Sequence, residues 1–353
     1  MAKKLLTVIL LFVLTINLFS QTTKRTPNFE PEKESLINWM PLDSALAKQK
    51  KAPKKIFVDI YTDWCGWCKH MAKTTFANKQ IAAYINQNYY PVRFNGETTD
   101  TMIYLGDTLV NKNIGRRGAH QLTMKLTNKR PSYPTISYLD ERGYLISPVP
   151  GYKSVNEIEP FLVFFTENVF RTAAFDKFQE NFKKTFTDSL KIKPAKVKWL
   201  SFAEAEKKEK KEKKIILVNA VGPWSVSGKI MDTTSFGNPE LAKYINEKFY
   251  PVKIDILSKD TITFFGEKYA PGNNIYPVHH LADHLMSGKI FAPSMIFISP
   301  EGKLLSHVPG YFTPESLEPI LHFFEEGAFK TTPWAEYMKN YKKKSQNEKP
   351  SGN

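Results

Sequence analysis

Cysteine is nearly absent. The 353-residue chain has two, Cys65 and Cys68, both inside "WCGWCKH" (Trp64–His70). Small secreted domains that rely on disulfides carry a dense set of them, so that class is excluded, and a chain this long buries an ample core without staples. Long apolar runs are equally scarce: beyond the first twenty residues, none approaches the ~20 residues that a membrane-spanning helix needs. Acidic residues are in deficit, with 35 Asp and Glu against 50 Lys and Arg, a formal net charge of +15. Much of the excess sits in stretches such as "AEKKEKKEKK" (205–214) and the tail "KNYKKKSQNEKPSGN". These read as lysine-rich solvated surface, with attraction to an acidic partner or membrane surface as the alternative. No recognised nucleic-acid-binding pattern accompanies the charge.

What is present begins with "MAKKLLTVILLFVLTINLFSQ". Two lysines, a short apolar core and a closing Ser20-Gln21 have the layout of a secretory signal. Residues 1–20 are therefore expected to be removed, which takes away Lys3 and Lys4 and leaves a net charge of +13. Leu18 is unusual so near a cleavage point, and an uncleaved anchor is the alternative. The expected location is the periplasm or the exterior, and no integral membrane protein is expected after cleavage.

The chain is written twice. With Trp64 set against Trp224, thirty positions align without a gap and thirteen are identical, among them Lys69/Lys229, Met71/Met231, Phe76/Phe236, Asn78/Asn238 and Tyr90-Pro91/Tyr250-Pro251. The match runs back to Trp39/Trp199 and forward to "DTMIYLGD" against "DTITFFGE", and "VPGY" recurs at 149–152 and 308–311. Two domains of ordinary size follow: 36–186 and 196–345, after a linker at 21–35, joined by 187–195 and ending in a polar tail at 346–353. Within one copy, "KKIFVDIY" reads as a buried strand. A helical stretch from Trp64 to Asn88 breaks near "TTFANKQ", and "YPVRFN" is a second strand. "PTISYLDERGYLIS" is a hairpin turning at Gly143, and "SVNEIEPFLVFFTENVF" is a closing amphipathic helix. Residues 95–130 form a partly helical insertion. The fold class is α/β, a sheet flanked by helices.

Cys65 and Cys68 follow a strand and open a helix. Their spacing lets the sulfurs bond, and Cys65 stands at the positive end of the helix dipole, which favours thiolate. A nucleophilic thiolate beside a resolving thiol is the minimum for disulfide exchange. Haem attachment would need His at Lys69. Zinc would lack ligands even with His70 counted. Capture of a soft metal such as monovalent copper stays open. His280 and His284, with Asp283, lie one helical turn apart but read as a solvated patch, and His279 aligns with His120 as a shared structural feature.

"FVDIYTDWCGWCKHM" resembles the active-site stretch of the thioredoxin superfamily, in particular its secreted members with a W-C-G-x-C-K signature. The resemblance implies tandem thioredoxin-like folds and a thiol–disulfide oxidoreductase. It places Asp59 as the buried acid that handles the proton of Cys68, and Arg93 where a lysine often lies near that acid. It makes Pro134 the cis-proline opposite the cysteines and Gly151 a glycine of the substrate groove. Asp59 is also the single charge in an apolar strand, where burial is costly. Catalysis is thus assigned to Cys65, Cys68 and Asp59, and substrate binding to Trp64, Trp67, Tyr133, Pro134 and Gly151. Trp64 has core packing as its alternative. In the second copy, "LVNAVGPWSVSGKIM" replaces the three catalytic residues with Ser225, Gly228 and Asn219 while Pro293 remains, so that domain is read as degenerate. No cofactor and no metal are implied. The expected partners are protein thiols or disulfides and a membrane-linked thiol donor. Reductase is favoured over oxidase because Gly66-Trp67 matches neither the strong oxidants nor the common isomerases. The alternative is a binding or scaffold protein, or a copper-handling one.

Overall fold

A computed structural model of the chain describes residues 35–112, 118–188 and 195–347. The expected signal segment and most of the two linkers lie outside the described residues. The chain divides into two compact units between Tyr152 and Lys153, whereas the sequence repeat continues to 186. Residues that close the first repeat therefore belong to the second unit.

In the first unit, helix α1 (Leu42–Lys51) precedes β1 (Lys55–Tyr61), α2 (Gly66–Thr74), α3 (Lys79–Asn88) and β2 (Tyr89–Asn95). The expected break falls at 75–78, where Asn78 accepts hydrogen bonds from the backbone N–H groups of Gln80 and Ile81 and so starts α3. Then come β3 (Met102–Tyr104), β4 (Asp107–Leu109), α4 (Gln121–Leu126), β5 (Thr135–Leu139) and β6 (Leu145–Pro150). The sheet order is β2-β1-β5-β6, with β1 parallel to β2 and antiparallel to β5. Side chains alternate across β1. Ile56, Val58 and Ile60 pack with Leu42, Phe94, Tyr104 and Leu122 on one face, while Phe57 meets Trp39, Phe76, Tyr89 and Tyr138 on the other. Asp59 shares the face of Phe57. The insertion holds a small hairpin, β3–β4, as well as a helix. Its three-residue strands are too short to show a period in sequence.

The second unit begins with α5 (Val155–Thr166), a 3-10 turn (Val169–Arg171) and α6 (Phe175–Phe186). It then repeats the pattern: α7 (Phe202–Glu209), β7 (Ile216–Val221), α8 (Val226–Thr234), α9 (Pro239–Lys248), β8 (Tyr250–Asp255), β9 (Ile262–Phe264), β10 (Glu267–Tyr269), α10 (His280–Met286), β11 (Ser294–Ile298), β12 (Leu304–Pro309), α11 (Pro314–Glu325) and α12 (Trp334–Asn347). Its sheet order, β12-β11-β7-β8, is the same sheet again. Both units are α/β, each a mixed sheet flanked by helices. Among the described residues no helix is long and apolar enough to cross a membrane.

Candidate active site

β1 ends at Tyr61, and Thr62 O accepts from Cys65 N at 3.1 Å, which turns the chain into α2. Cys65 is the N-cap residue, and its Sγ accepts from Cys68 N at 3.0 Å. The two sulfurs form a disulfide with the Cα atoms 5.3 Å apart. In this oxidised form Cys65 and Cys68 are 3% and 2% exposed. Exposure therefore does not separate their roles. Cap position distinguishes the two, since Cys65 is the N-cap residue and Cys68 lies within the first turn, donating its N–H to Cys65.

The start of β5 lies beside the end of β1, in the register Ile60↔Thr135 and Asp59↔Ile136. This brings the Tyr133–Pro134 bond, which is cis as expected, to the end of the sheet where the cysteine loop begins. Gly151, at φ +83°, donates its N–H to Pro134 O at 2.8 Å. Asp59 is buried, and its Oδ2 lies 3.4 Å from Arg93 Nε, the two facing each other in the β1–β2 register. The Arg93 guanidinium also stacks 4.6 Å over the Tyr61 ring.

Trp64 and Trp67 are 49% and 62% exposed, so neither is packed in the core. Trp64 Nε1 donates to Glu97 Oε2 at 2.8 Å, and its ring meets the Tyr133 ring edge-on at 5.9 Å. On the other side Trp67 lies 5.4 Å from Tyr152, which lies 5.1 Å from His70. Burial, with the nearby Glu97 charge second, pushes the Tyr133 phenol up to about 12. A Cβ on Gly96 would sit 2.5 Å from Tyr133 Cε1, so glycine there admits the tyrosine ring.

Glu97, Gly96 and Tyr152 were not singled out in the sequence. A signal for the first two exists in the repeat. Gly96 with Tyr133 becomes Ile256 with Ala292, a transfer of side-chain volume from one position to the other, and Glu97 becomes Leu257.

The second unit keeps the backbone of the site. Ser225 caps α8 with φ −74° and ψ 109°, against −73° and 103° at Cys65, and its Oγ accepts from Gly228 N at 3.0 Å. Ala292–Pro293 is cis, and Gly310 donates to Pro293 O at 2.9 Å. Asn219 replaces Asp59 in the strand, and Lys253, in the place of Arg93, turns to Asp232 at 2.6 Å. His120 and His279 have matching structural roles. Each Nδ1 accepts from the N–H two residues on, and each Nε2 meets a backbone oxygen, of Asp100 or Asp260. Asp283 accepts from the Tyr276 hydroxyl, and among the described residues no three His, Cys, Asp or Glu side chains cluster as metal ligands.

One family model, Thioredox_DsbH, described as "Protein of unknown function, DUF255", matches residues 21–157, and a second, described as "Thioredoxin-like domain", matches residues 202–325. The chain is 25% identical over 129 residues to a protein named "Thiol:disulfide interchange protein DsbD" from Vibrio vulnificus, covering 36% of this chain and 18% of that one. It is 44% identical over 46 residues to the protein of the same name from Vibrio cholerae, covering 13% of this chain and 8% of that one. The chain thus spans less than a fifth of the length of these relatives. The solution structure of a thioredoxin from Thermus thermophilus is similar at 15% identity and a TM-score of 0.27, covering 36% of this chain and 84% of that one. With two sheets of one order, a cis-proline just before β5 and just before β11, and a family model on each half, the chain is a two-domain protein of the thioredoxin superfamily.

Proposed function

We propose that the chain is an extracytoplasmic thiol–disulfide oxidoreductase acting on protein substrates, working as a reductase, with its chemistry confined to the first unit. The observation that carries this reading is the Cys65–Cys68 disulfide capping α2 beside the cis Tyr133–Pro134 bond. In the reduced form, the Cys65 thiolate attacks one sulfur of a substrate disulfide. That bond breaks, a mixed disulfide forms, and the leaving thiolate takes a proton from solvent. Cys68 loses its proton to Asp59 and attacks Cys65 Sγ. The second substrate thiol is released, and Cys65–Cys68 is left oxidised. Two electrons have passed to the substrate, and a dithiol donor, membrane-linked in this reading, restores them. The substrate lies along the Tyr133 backbone as an added strand, between Trp64 and Trp67, with Gly151 leaving room. The names of the two Vibrio relatives support the reaction type.

The test is covalent capture. Cys68→Ser should accumulate mixed disulfides with proteins of the native compartment, while Cys65→Ser should accumulate none. The reverse pattern overturns the assignment of the two sulfurs, and capture by neither variant overturns the reaction.

A further inference from the structure

The second unit lost its sulfurs but did not leave their place empty. Glu167 follows α5, and its carboxylate reaches the first turn of α8. Oε1 accepts from Val226 N at 2.8 Å, and Oε2 accepts from Ser227 N at 2.9 Å, from Ser225 Oγ at 3.1 Å and from Ser227 Oγ at 2.5 Å. Glu167 as a residue is only partly buried, but the serines that it meets are 1% and 0% exposed. Burial pushes its carboxyl above the ordinary range, and the hydrogen bonds from Ser227, Val226 and Ser225 pull it back. The N–H that meets Cys65 in the first unit is that of Cys68, and its counterpart Gly228 N stays on Ser225 Oγ, so Glu167 takes the two amides before it, at the repeat positions of Gly66 and Trp67. An anion at a helix N-terminus is stabilised by orphan N–H groups and the helix dipole, and here two buried hydroxyls add to them.

The same segment covers the rest of the relic groove. Thr172 Cγ2 lies 2.7 Å from where a Cβ on Gly310 would be. Asn181 Nδ2 donates to Tyr311 Oη at 2.8 Å, and the Phe178 ring stands edge-on to Tyr311 at 5.3 Å. Tyr311 is fully buried, whereas its repeat partner Tyr152 is partly exposed. We propose that the degenerate centre of the second unit is a receptor for a carboxylate of the chain's own, in which Ser225, Ser227 and the first-turn amides of α8 hold Glu167 and so fasten residues 153–187 over the groove. The second unit therefore does not offer this groove to outside partners. The seryl hydroxyls serve as donors, not as worn-out nucleophiles. The position equivalent to Glu167 is Glu326, which binds His322 and Tyr337 instead, so the lock belongs to this one junction of the chain.

The test needs no redox activity, so its outcome is independent of the function proposed above. In the full chain with Cys65→Ser and Cys68→Ser, Ser225→Cys introduces the single thiol. Its alkylation rate reports how often Glu167 and the segment leave the site. Adding Glu167→Ala should raise that rate by about tenfold or more, the change in opening that loss of charge-assisted hydrogen bonds produces. Should that variant fail to fold, Ser227→Ala removes one donor alone and should raise the rate several-fold. An unchanged rate in the variant that folds overturns the proposal, as does labelling that is already as fast as in the denatured chain while Glu167 is present.

Discussion

At the scale of single residues, the two copies form an internal comparison. The first keeps a buried Asp59 with Arg93, while the second holds Asn219 with Lys253 and adds Asp232, at the position of Ala72, to take the cation. Asp59→Asn alone should therefore slow exchange and also cost about 2 kcal/mol of stability, because a half-buried guanidinium loses its carboxylate. Asp59→Asn with Ala72→Asp should recover part of the stability and none of the rate. Denaturant unfolding beside a disulfide-reduction assay checks both, and a single variant as stable as the parent would show that the pair contributes nothing. Glu97 acts on a different property. It holds the Trp64 indole from one side while Tyr133 meets it from the other. Glu97→Ala should leave kcat on a small generic disulfide unchanged and raise KM for a protein substrate several-fold, with altered Trp64 fluorescence. An effect on kcat alone would place Glu97 in the chemistry instead.

At the scale of elements, caps decide where the helices begin, and the cap of α4 is a histidine. His120 starts α4 by accepting Leu122 N–H at Nδ1, so that nitrogen must be unprotonated. Burial lowers its pKa from the ordinary value of 6.5. The folded state thus binds this proton less readily than the unfolded chain. The stability contribution is complete above 6.5 and is lost as pH falls from there through the lowered folded value. Protection factors of the amides at 118–127, corrected for the intrinsic pH dependence of exchange, should fall between pH 7 and pH 5, and His120→Asn, a cap that does not titrate, should keep them constant. Persistent loss of protection in that variant would assign the effect to another group. The β3–β4 hairpin beside α4 turns through Leu105 and Gly106, both at positive φ. Its Tyr104 hydroxyl donates to Gly143 O at 2.6 Å, which ties the insertion to the β5–β6 turn.

At the scale of the whole molecule, the boundary between repeats and the boundary between compact units differ. A fragment of residues 196–353, cut by the repeat, loses Glu167, Thr172, Phe178 and Asn181 and bares Ser225, Ser227 and Tyr311. A fragment of residues 153–353 keeps them. Thermal melts should place the shorter fragment lower by about 10 °C, since several kcal/mol divide among roughly two hundred residues. Equal melting temperatures would mean that the segment adds nothing to the second unit.

The sequence by itself determined the doubling, the strand-then-helix setting of the cysteines, the single acid in β1 and the replacement of Cys65, Cys68 and Asp59 in the second copy. Each of these is written in adjacent residues or in a comparison of one repeat with the other, whereas the cis bond at Pro134 was expected from the family resemblance alone. Spacing and periodicity act over a few positions, so they survive in a one-dimensional reading. Gly96 beside Tyr133 was half legible, because its exchange for Ile256 and Ala292 shows only once the contact is known. The tertiary structure alone decided that Trp64 is half exposed and held by Glu97 across 33 positions. It alone decided that Glu167 fills the first turn of α8 from 58 positions away. Glu167 and Glu326 occupy one repeat position and yet meet unrelated partners, because a carboxylate's role is set by whichever donors the folded chain brings to it, and no local pattern records that meeting.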